Sequence, residues 1–197
     1  MKTRSEILSI VEYFYNRGIR QFVIIRGDGE ILENGFKYAS ELVKEVRRSF
    51  FDAAIYVAGY PEKDSELQYL HEKASYGING VVTQICFDNA FIGDFSNKTN
   101  IPVLPGVIYP SEKALGFASK HNISVPRELI GHAKINDSVR HKDDANAFDV
   151  EVKFADFEGA RKAFLKNQVQ NLVDRGFRHV HFYTLNNIDN LSFLFNS

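Results

Sequence analysis

The feature that most constrains the fold is a regular alternation between short, continuously apolar runs and longer segments with apolar residues at helical spacing. The first such run, at 21–25, reads Gln-Phe-Val-Ile-Ile. Its apolar residues are consecutive rather than alternating, which is typical of a strand buried on both faces. Strands that alternate with helices form parallel sheets joined by right-handed crossovers. The sequence therefore predicts an α/β protein.

Five strands, with helices between them, can be placed along the chain. We predict strands at 21–25, 53–58, 80–86, 101–108 and 179–185. We predict helices at 5–17, 37–50, 65–76, 88–95, 111–121, from Pro126 onward, at 157–175 and at 188–195. Thr3 and Glu6 have the spacing of a capping box at the start of the first helix. The stretch 136–153 is polar and charged, and we assign no helix or strand to it.

Five parallel strands fit two architectures, a small doubly wound sheet and the back part of an eight-stranded barrel. In both, functional residues gather at the C-terminal ends of the strands. No internal repeat or low-complexity linker divides the chain, so we expect residues 1–197 to form a single domain.

Composition argues against several classes of protein. Lys and Arg number 24 against 25 Asp and Glu, so the basic excess of a nucleic-acid-binding protein is missing. The single cysteine, Cys86, excludes an internal disulfide framework and a cysteine-based zinc site. No apolar run approaches the roughly 18 residues of a membrane span, and the first residues lack the apolar stretch of a signal peptide. We expect a soluble, cytoplasmic protein that binds neither nucleic acid nor membrane.

Polar residues follow the predicted strands. They bring an acid, two phenols and a carboxamide to one rim, a mixture that suits a planar ligand with hydrogen-bonding edges. The residues concerned are Arg26-Gly27-Asp28, Tyr60, Glu62, Gln84 and Tyr183. Simpler interpretations stay open here, because Asp28 and Glu62 are also suited to turns and helix caps. His179 and His181 face the same side of a strand, but no third metal ligand is apparent and we predict no metal site.

Residue patterns alone do not identify a reaction. No GxGxxG or GxxxxGK(S/T) phosphate loop follows a predicted strand, and the chain contains no GxSxG nucleophile elbow. From residue patterns alone, we therefore predict an α/β protein with a rim of polar residues at the ends of its strands, and nothing more specific.

An ordered series of segments resembles the methylenetetrahydrofolate reductase family, flavin enzymes of one-carbon metabolism. The segments are Ile25-Arg26-Gly27-Asp28, Tyr38-Ala39-Ser40-Glu41-Leu42, Ala58-Gly59-Tyr60-Pro61-Glu62, Val82-Thr83-Gln84, Pro105-Gly106-Val107-Ile108 and His181-Phe182-Tyr183-Thr184-Leu185-Asn186. They run in the family's order over 17–187, nearly the whole chain. Since the family fold is a (β/α)8 barrel, the resemblance implies an incomplete TIM-type barrel with about five strands.

The resemblance also implies an activity and its residues. The reaction is FAD-dependent reduction of 5,10-methylenetetrahydrofolate to 5-methyltetrahydrofolate, with NADH or NADPH as the reductant. The implied FAD contacts are Ile25, Arg26, Gly27, Asp28, Ala39, Tyr60, Glu66, Lys73 and Val82. The implied substrate contacts are Asp28, Gln84, Phe117 and Tyr183, with Asp28 as the catalytic residue.

The chain departs from the family pattern in ways that bear on activity. Its first predicted strand resembles the fourth strand of the family barrel, so three strand–helix units and the family's general-acid glutamate have no counterpart. Gly29-Glu30 stand where the family has prolines, Asp64 where it has a histidine and Asn187 where it has a basic residue.

Two hypotheses follow from these departures. The chain is a truncated or split reductase, or a catalytically inactive flavin- and folate-binding remnant with a regulatory or scaffolding role. Five strands would leave two sheet edges exposed. We therefore expect a homo-oligomer or a partner chain that supplies the missing strands.

Overall fold

The computed structural model of the chain describes residues 2–27, 29–30, 32–63, 65, 67–130 and 157–195. Two of the predicted site residues, Asp28 and Glu66, lie outside this range. The polar stretch 136–153 lies outside it as well.

Strands and helices alternate along the chain, as the sequence predicts. The strands are β1 (Gln21–Ile24), β2 (Ala54–Gly59), β3 (Gly80–Ile85), β4 (Val103–Ile108) and β5 (His181–Tyr183). The helices are α1 (Arg4–Tyr15), α2 (Ala39–Ser49), α3 (Leu67–Ser75), α4 (Asn89–Thr99), α5 (Glu112–Lys120), α6 (Arg127–Ile130) and α7 (Phe157–Asp174). A 3₁₀ helix, Asp189–Leu194, follows β5.

The sheet orders its strands as they occur in the sequence, β1-β2-β3-β4-β5. All five run parallel. Ile24 pairs with Val57 between β1 and β2, and Ile108 pairs with Tyr183 between β4 and β5. A doubly wound sheet reverses its order at a switch point, and the strands of the described residues show no reversal. The order confirms the predicted fold class, an incomplete (β/α)8-type arrangement of five strands, and excludes the doubly wound alternative.

The predicted capping box at the start of α1 is confirmed. The Thr3 side chain accepts a hydrogen bond from the Glu6 amide, and the Glu6 carboxylate accepts one from the Thr3 amide at 2.7 Å. Gly18 follows the helix with a φ of 89°, a left-handed conformation that glycine adopts without strain. The chain thus leaves α1 and turns into β1 where the sequence predicts.

The chain divides into two compact units, Met1–Gln84 with Gly93–Leu104, and Ile85–Ile92 with Pro105–Ser197. In the first unit, the buried side chains of β1, β2 and β3 pack against α2, α3 and α4. Val43, Ile55, Val57 and Val81 are fully buried in this core. The assignment of the whole chain to one domain stays a prediction.

The second unit contains two apolar clusters. One joins Ile85 and Ile108 to Ala114, Leu115 and Ala118 of α5. The other joins Cys86 and Val107 to Leu165 and Leu172 of α7, so the single cysteine is buried in the core of this unit. Within the described part of the chain, none of the helices has the length and apolar character needed to cross a membrane.

Candidate functional site

The sheet register places several predicted site residues on one face. Ile55 and Val57 are buried on the face that packs against the helices, whereas Tyr56 and Ala58 are half-buried on the opposite face. Ala58 is paired with Val82 of β3. Because side chains alternate along a strand, Gln84 lies on the same face as Val82. Val82 is buried and Gln84, near the end of its strand, is half-buried.

A cavity of about 200 Å³ lies at the C-terminal end of β1. It brings together four of the predicted FAD contacts, Ile25, Arg26, Gly27 and Ala39. The rest of its lining consists of Lys2, Ile7, Gly29, Phe36, Tyr38 and Leu42. Lys2 and Arg26 are cationic, and none of these lining residues is acidic. This cavity can therefore accept an anionic ligand that also carries apolar or aromatic surface.

Arg4 holds the loop that closes this cavity. Its backbone amide donates to the Asn34 carbonyl at 2.9 Å, and its Nε donates to the Gly35 carbonyl at 3.1 Å. Its guanidinium forms an ion pair with Glu41 in the first turn of α2 and lies 4.7 Å from the centroid of the Phe36 ring. The start of α1, the loop and the start of α2 are therefore fixed to one another.

The other predicted contacts of the first unit lie outside this cavity. Tyr60 directly follows β2, and the Lys63 ammonium lies 5.2 Å from the centroid of its ring. Lys73 lies in the last turn of α3, the turn that leads toward the start of β3. Neither residue is among those that line the cavity at β1.

A second cavity, of about 300 Å³, lies at the ends of β4 and β5 and contains the predicted substrate contact Tyr183. Its remaining lining comes from Ile108, Tyr109, Ser111, Lys113, Thr184, Leu185, Asn187, Asn190 and Leu191. Phe117, the other predicted contact in this region, does not line it. The centroid of the Phe117 ring lies 4.2 Å from that of His121, the residue at the C-cap of α5. Sequence reasoning did not single out Lys113, whose only signal is its position two residues after the cap Ser111.

The loop after β5 adopts a left-handed turn at the edge of this cavity. Leu185 and Asn186 have φ values of 50° and 64°. The Asn187 amide donates to the Thr184 carbonyl at 2.9 Å and closes the turn. A left-handed conformation is unusual for a bulky residue such as leucine, and residues of this kind cluster at binding and catalytic sites.

Burial shifts the pKa of two groups beside these strand ends. It lowers the pKa of His181, whose ring lies 4.5 Å from the Tyr183 ring. It raises the pKa of Tyr109, an effect partly offset by the nearby Arg161 guanidinium. Both groups are therefore in their neutral forms at neutral pH, since burial disfavours the charged form of each.

Comparison with known proteins relates the chain to methylenetetrahydrofolate reductases. A family model described as methylenetetrahydrofolate reductase matches residues 1–194. A 5,10-methylenetetrahydrofolate reductase of Buchnera aphidicola subsp. Schizaphis graminum is 30% identical over 200 residues, 94% of this chain and 63% of its own length. The protein of the same name from Escherichia coli K12 is 30% identical over 201 residues, 93% of this chain and 62% of its own.

A plant methylenetetrahydrofolate reductase also matches the chain, at lower sequence identity. Methylenetetrahydrofolate reductase (NADH) 1 of Arabidopsis thaliana is 26% identical over 209 residues, 89% of this chain and 33% of its own. The chain thus spans less than two thirds of the length of these relatives. From the match to the family model over nearly all of its residues, the chain belongs to the methylenetetrahydrofolate reductase family.

Proposed function

We propose that this chain binds FAD and a reduced folate at the C-terminal ends of its strands. There it takes part in the NAD(P)H-dependent reduction of 5,10-methylenetetrahydrofolate to 5-methyltetrahydrofolate in the cytoplasm. One observation carries the proposal. The cavity at the end of β1 gathers Ile25, Arg26, Gly27 and Ala39, four residues that the resemblance assigns to FAD, although they come from two separate segments of the chain.

The lining of that cavity fits part of an anionic dinucleotide. Lys2 and Arg26 offer positive charge to a pyrophosphate, and Gly27, with a φ of 78°, lets the backbone turn without a side chain. Ile25 and Tyr38 are 61% and 52% exposed and offer apolar and aromatic surface to a ring system. The chemistry that FAD supplies when bound is hydride transfer from a reduced nicotinamide to the folate.

The remaining predicted residues have roles that follow from their chemistry. The Gln84 carboxamide both donates and accepts hydrogen bonds, which suits the N–H and C=O edge of a pterin. The Tyr183 ring offers a face for packing against the substrate or the nicotinamide. Asp28, Tyr60, Glu66, Lys73, Val82 and Phe117 stay predictions of the resemblance.

The proposal includes an association that protects the sheet edges. β1 and β5 stand at the two ends of the strand order, so within the described residues each has one neighbouring strand. Val23 and Ile25 are 54% and 61% exposed. Exposed edges with apolar side chains invite pairing with another chain. We propose that a second copy or a partner chain with further strand–helix units covers them.

Visible absorption spectroscopy tests the flavin site. We expect the purified protein, after incubation with FAD and desalting, to keep the absorption bands of bound flavin. Ala39→Leu adds bulk to the cavity at β1 and should abolish retention. Ser49→Leu, at the exposed far end of the same helix, should keep it. A wild-type protein that stays colourless contradicts the proposal.

Turnover separates the reductase from the inactive remnant. A reductase bleaches its bound flavin when NADH or NADPH is added without oxygen, and methylenetetrahydrofolate then restores the colour. A remnant retains FAD and folate but shows neither change. Loss of a positioned general acid slows proton transfer by roughly 10²–10⁴-fold. A flavin that bleaches fast and is reoxidised slowly therefore identifies a reductase that needs a partner chain to supply that acid.

A further inference from the structure

The cavity at the ends of β4 and β5 is built from two loops that the sheet brings together. Ile108 and Tyr183, the last residues of these strands, are paired across the sheet. The segment after β4 contributes Tyr109, Ser111 and, from the first turn of α5, Lys113, and the other contributes residues between Thr184 and Leu191. The hydrogen bond between Asn187 and Thr184 fixes the second loop. Both walls of the cavity are thus attached to neighbouring strands.

The charge of this lining has one sign. Among the described residues that line it, Lys113 has the only charged side chain, since the others are apolar, hydroxyl or carboxamide. The nearest acids in sequence lie outside it. A Glu112 carboxylate oxygen is 4.0 Å from the Arg161 guanidinium, and Asp189 begins the 3₁₀ helix. The Lys113 side chain forms no ion pair or hydrogen bond with any residue that the structure describes. Its ammonium group is therefore available to a ligand.

Neutral hydrogen-bond donors line the same cavity as this ammonium. Asn187 and Asn190 carry carboxamide N–H groups. The Ser111 Oγ accepts a hydrogen bond from the Ala114 amide at 3.2 Å, which leaves its own O–H to donate. One cation with several neutral donors and no acid is an arrangement that favours an oxyanion.

We propose that this cavity binds an anionic group, a carboxylate or a phosphate, of the folate or of the nicotinamide cofactor, with Lys113 as the residue that selects for its charge. The inference rests on the proposed function, in which the folate carries carboxylates and the nicotinamide cofactor carries phosphates. The resemblance implies a single binding residue on α5, Phe117. The inference adds Lys113 as a second one.

Isothermal titration calorimetry under anaerobic conditions tests the inference on the full chain. The ligands are 5-methyltetrahydrofolate, NADH and 6-methyltetrahydropterin, which lacks the anionic tail. The variants are Lys113→Met and Lys113→Arg, with Lys120→Met as the matched control on the exposed last turn of the same helix. Circular dichroism and melting temperature verify the fold of each variant.

We expect Lys113→Met to lower the affinity for one of the two anionic ligands by about threefold to tenfold, the range for a partly exposed charge contact. Lys113→Arg and Lys120→Met should bind this ligand as tightly as the wild type does. Added salt should lower the affinity only of those proteins that keep a positive charge at position 113. Loss of folate affinity identifies a carboxylate, and loss of NADH affinity identifies a phosphate. Pterin binding should not change.

Two results would overturn the inference while sparing the proposed function. In the first, Lys113→Met binds all three ligands as tightly as the wild type. In the second, it loses affinity for the tail-free pterin as much as for the anionic ligands, which indicates a general disturbance of the site. A wild-type protein that binds neither folate nor pterin refutes the proposed function itself, and the inference with it.

Discussion

At the scale of single residues, Gly59 marks a contact that leaves no room for a methyl group. A Cβ at this position would lie 2.4 Å from Val81 Cγ1 and 2.8 Å from Phe95 Cζ, and both of those side chains are buried. We expect Gly59→Ala to lower the free energy of unfolding by about 1–3 kcal/mol, the usual cost of overpacking a core. Urea denaturation measures the change.

A second glycine provides the matched control. A Cβ at Gly116, inside α5, would meet no atom within 4 Å. Gly116→Ala should therefore raise the free energy of unfolding by about 0.5–1 kcal/mol, since alanine is the better helix former. Equal effects of the two substitutions would contradict the packing described for Gly59.

His181 gives the stability of the protein a pH dependence. Burial lowers its pKa in the folded state below the ordinary value of 6.5. The unfolded chain then binds a proton more readily than the folded chain, so protonation favours unfolding. We expect its contribution to be complete above pH 6.5 and to be lost as the pH falls from there through the lower folded pKa. Urea midpoints between about pH 5 and 8 measure this loss.

Substituting His181 tests whether this residue causes the pH dependence of stability. His181→Gln removes the titrating group and should flatten this part of the stability profile. His179→Gln, at the exposed histidine two residues earlier, should leave the profile unchanged. If both variants keep the wild-type slope, another group is responsible for it.

At the scale of elements, Arg47 links α2 to the loops that precede β2 and β3. Its guanidinium donates to the carbonyls of Phe51, Ala53 and Gly77 and to the Asn79 side chain, at 2.6–3.0 Å. We expect Arg47→Met to lower the free energy of unfolding by about 2 kcal/mol, because it leaves charge-assisted hydrogen bonds unmade.

The neighbouring Arg48 serves as the control for Arg47. Its side chain is 76% exposed and, among the residues that the structure describes, pairs only with Glu45 on its own helix. Surface pairs of this kind contribute about 0–1 kcal/mol, so Arg48→Met should be close to neutral in the same denaturation experiment. A similar loss in both variants would show that the Arg47 contacts add nothing to stability.

The sequence predicted the elements well where a periodic pattern and a local stop signal coincide. The capping box at Thr3 and the glycine at 18 place α1 within two residues of its observed bounds. The helix predicted at 88–95 instead extends to Thr99, and the strand predicted at 179–185 has only three residues. Their ends are set by contacts with segments far away in the chain, which a local pattern does not contain.

The candidate site could be predicted only in part, for a similar reason. Ile25, Arg26, Gly27 and Ala39 meet in one cavity because strand ends and helix starts are close in any βα unit. Phe117 and Lys113 are four residues apart on one helix, and only the structure shows that Lys113 lines the cavity with Tyr183. The rotation of a helix about its own axis depends on packing, which the spacing of residues does not reveal.

At the scale of the whole molecule, the two strands at the edges of the sheet lead us to predict that copies of this chain associate with one another. Val23, 54% exposed on β1, is paired with Tyr56 on one side and has no strand on its other side among the described residues. We expect light scattering to show a mass that rises with protein concentration. Val23→Lys should shift the protein toward the monomer, because a charge on an edge strand opposes pairing.

A substitution far from the edge controls for charge alone. Val173 on α7 is 52% exposed, so Val173→Lys adds the same charge to a comparably exposed valine. It should leave the mass unchanged. A wild-type protein that is monomeric at every concentration would contradict association between copies of this chain.

The strand order has a consequence for how the chain folds during synthesis. Each strand pairs with the one that precedes it in the sequence, so the pairs among β1, β2, β3 and β4 form without a distant segment having to leave the ribosome first. Parallel pairing is slow when it must close long loops. The connections from β1 to β4 contain one helix each, whereas the connection from β4 to β5 contains α5, α6 and α7. We expect the N-terminal strands to acquire protection from hydrogen exchange while the C-terminal ones are still being made, so folding proceeds in the direction of translation.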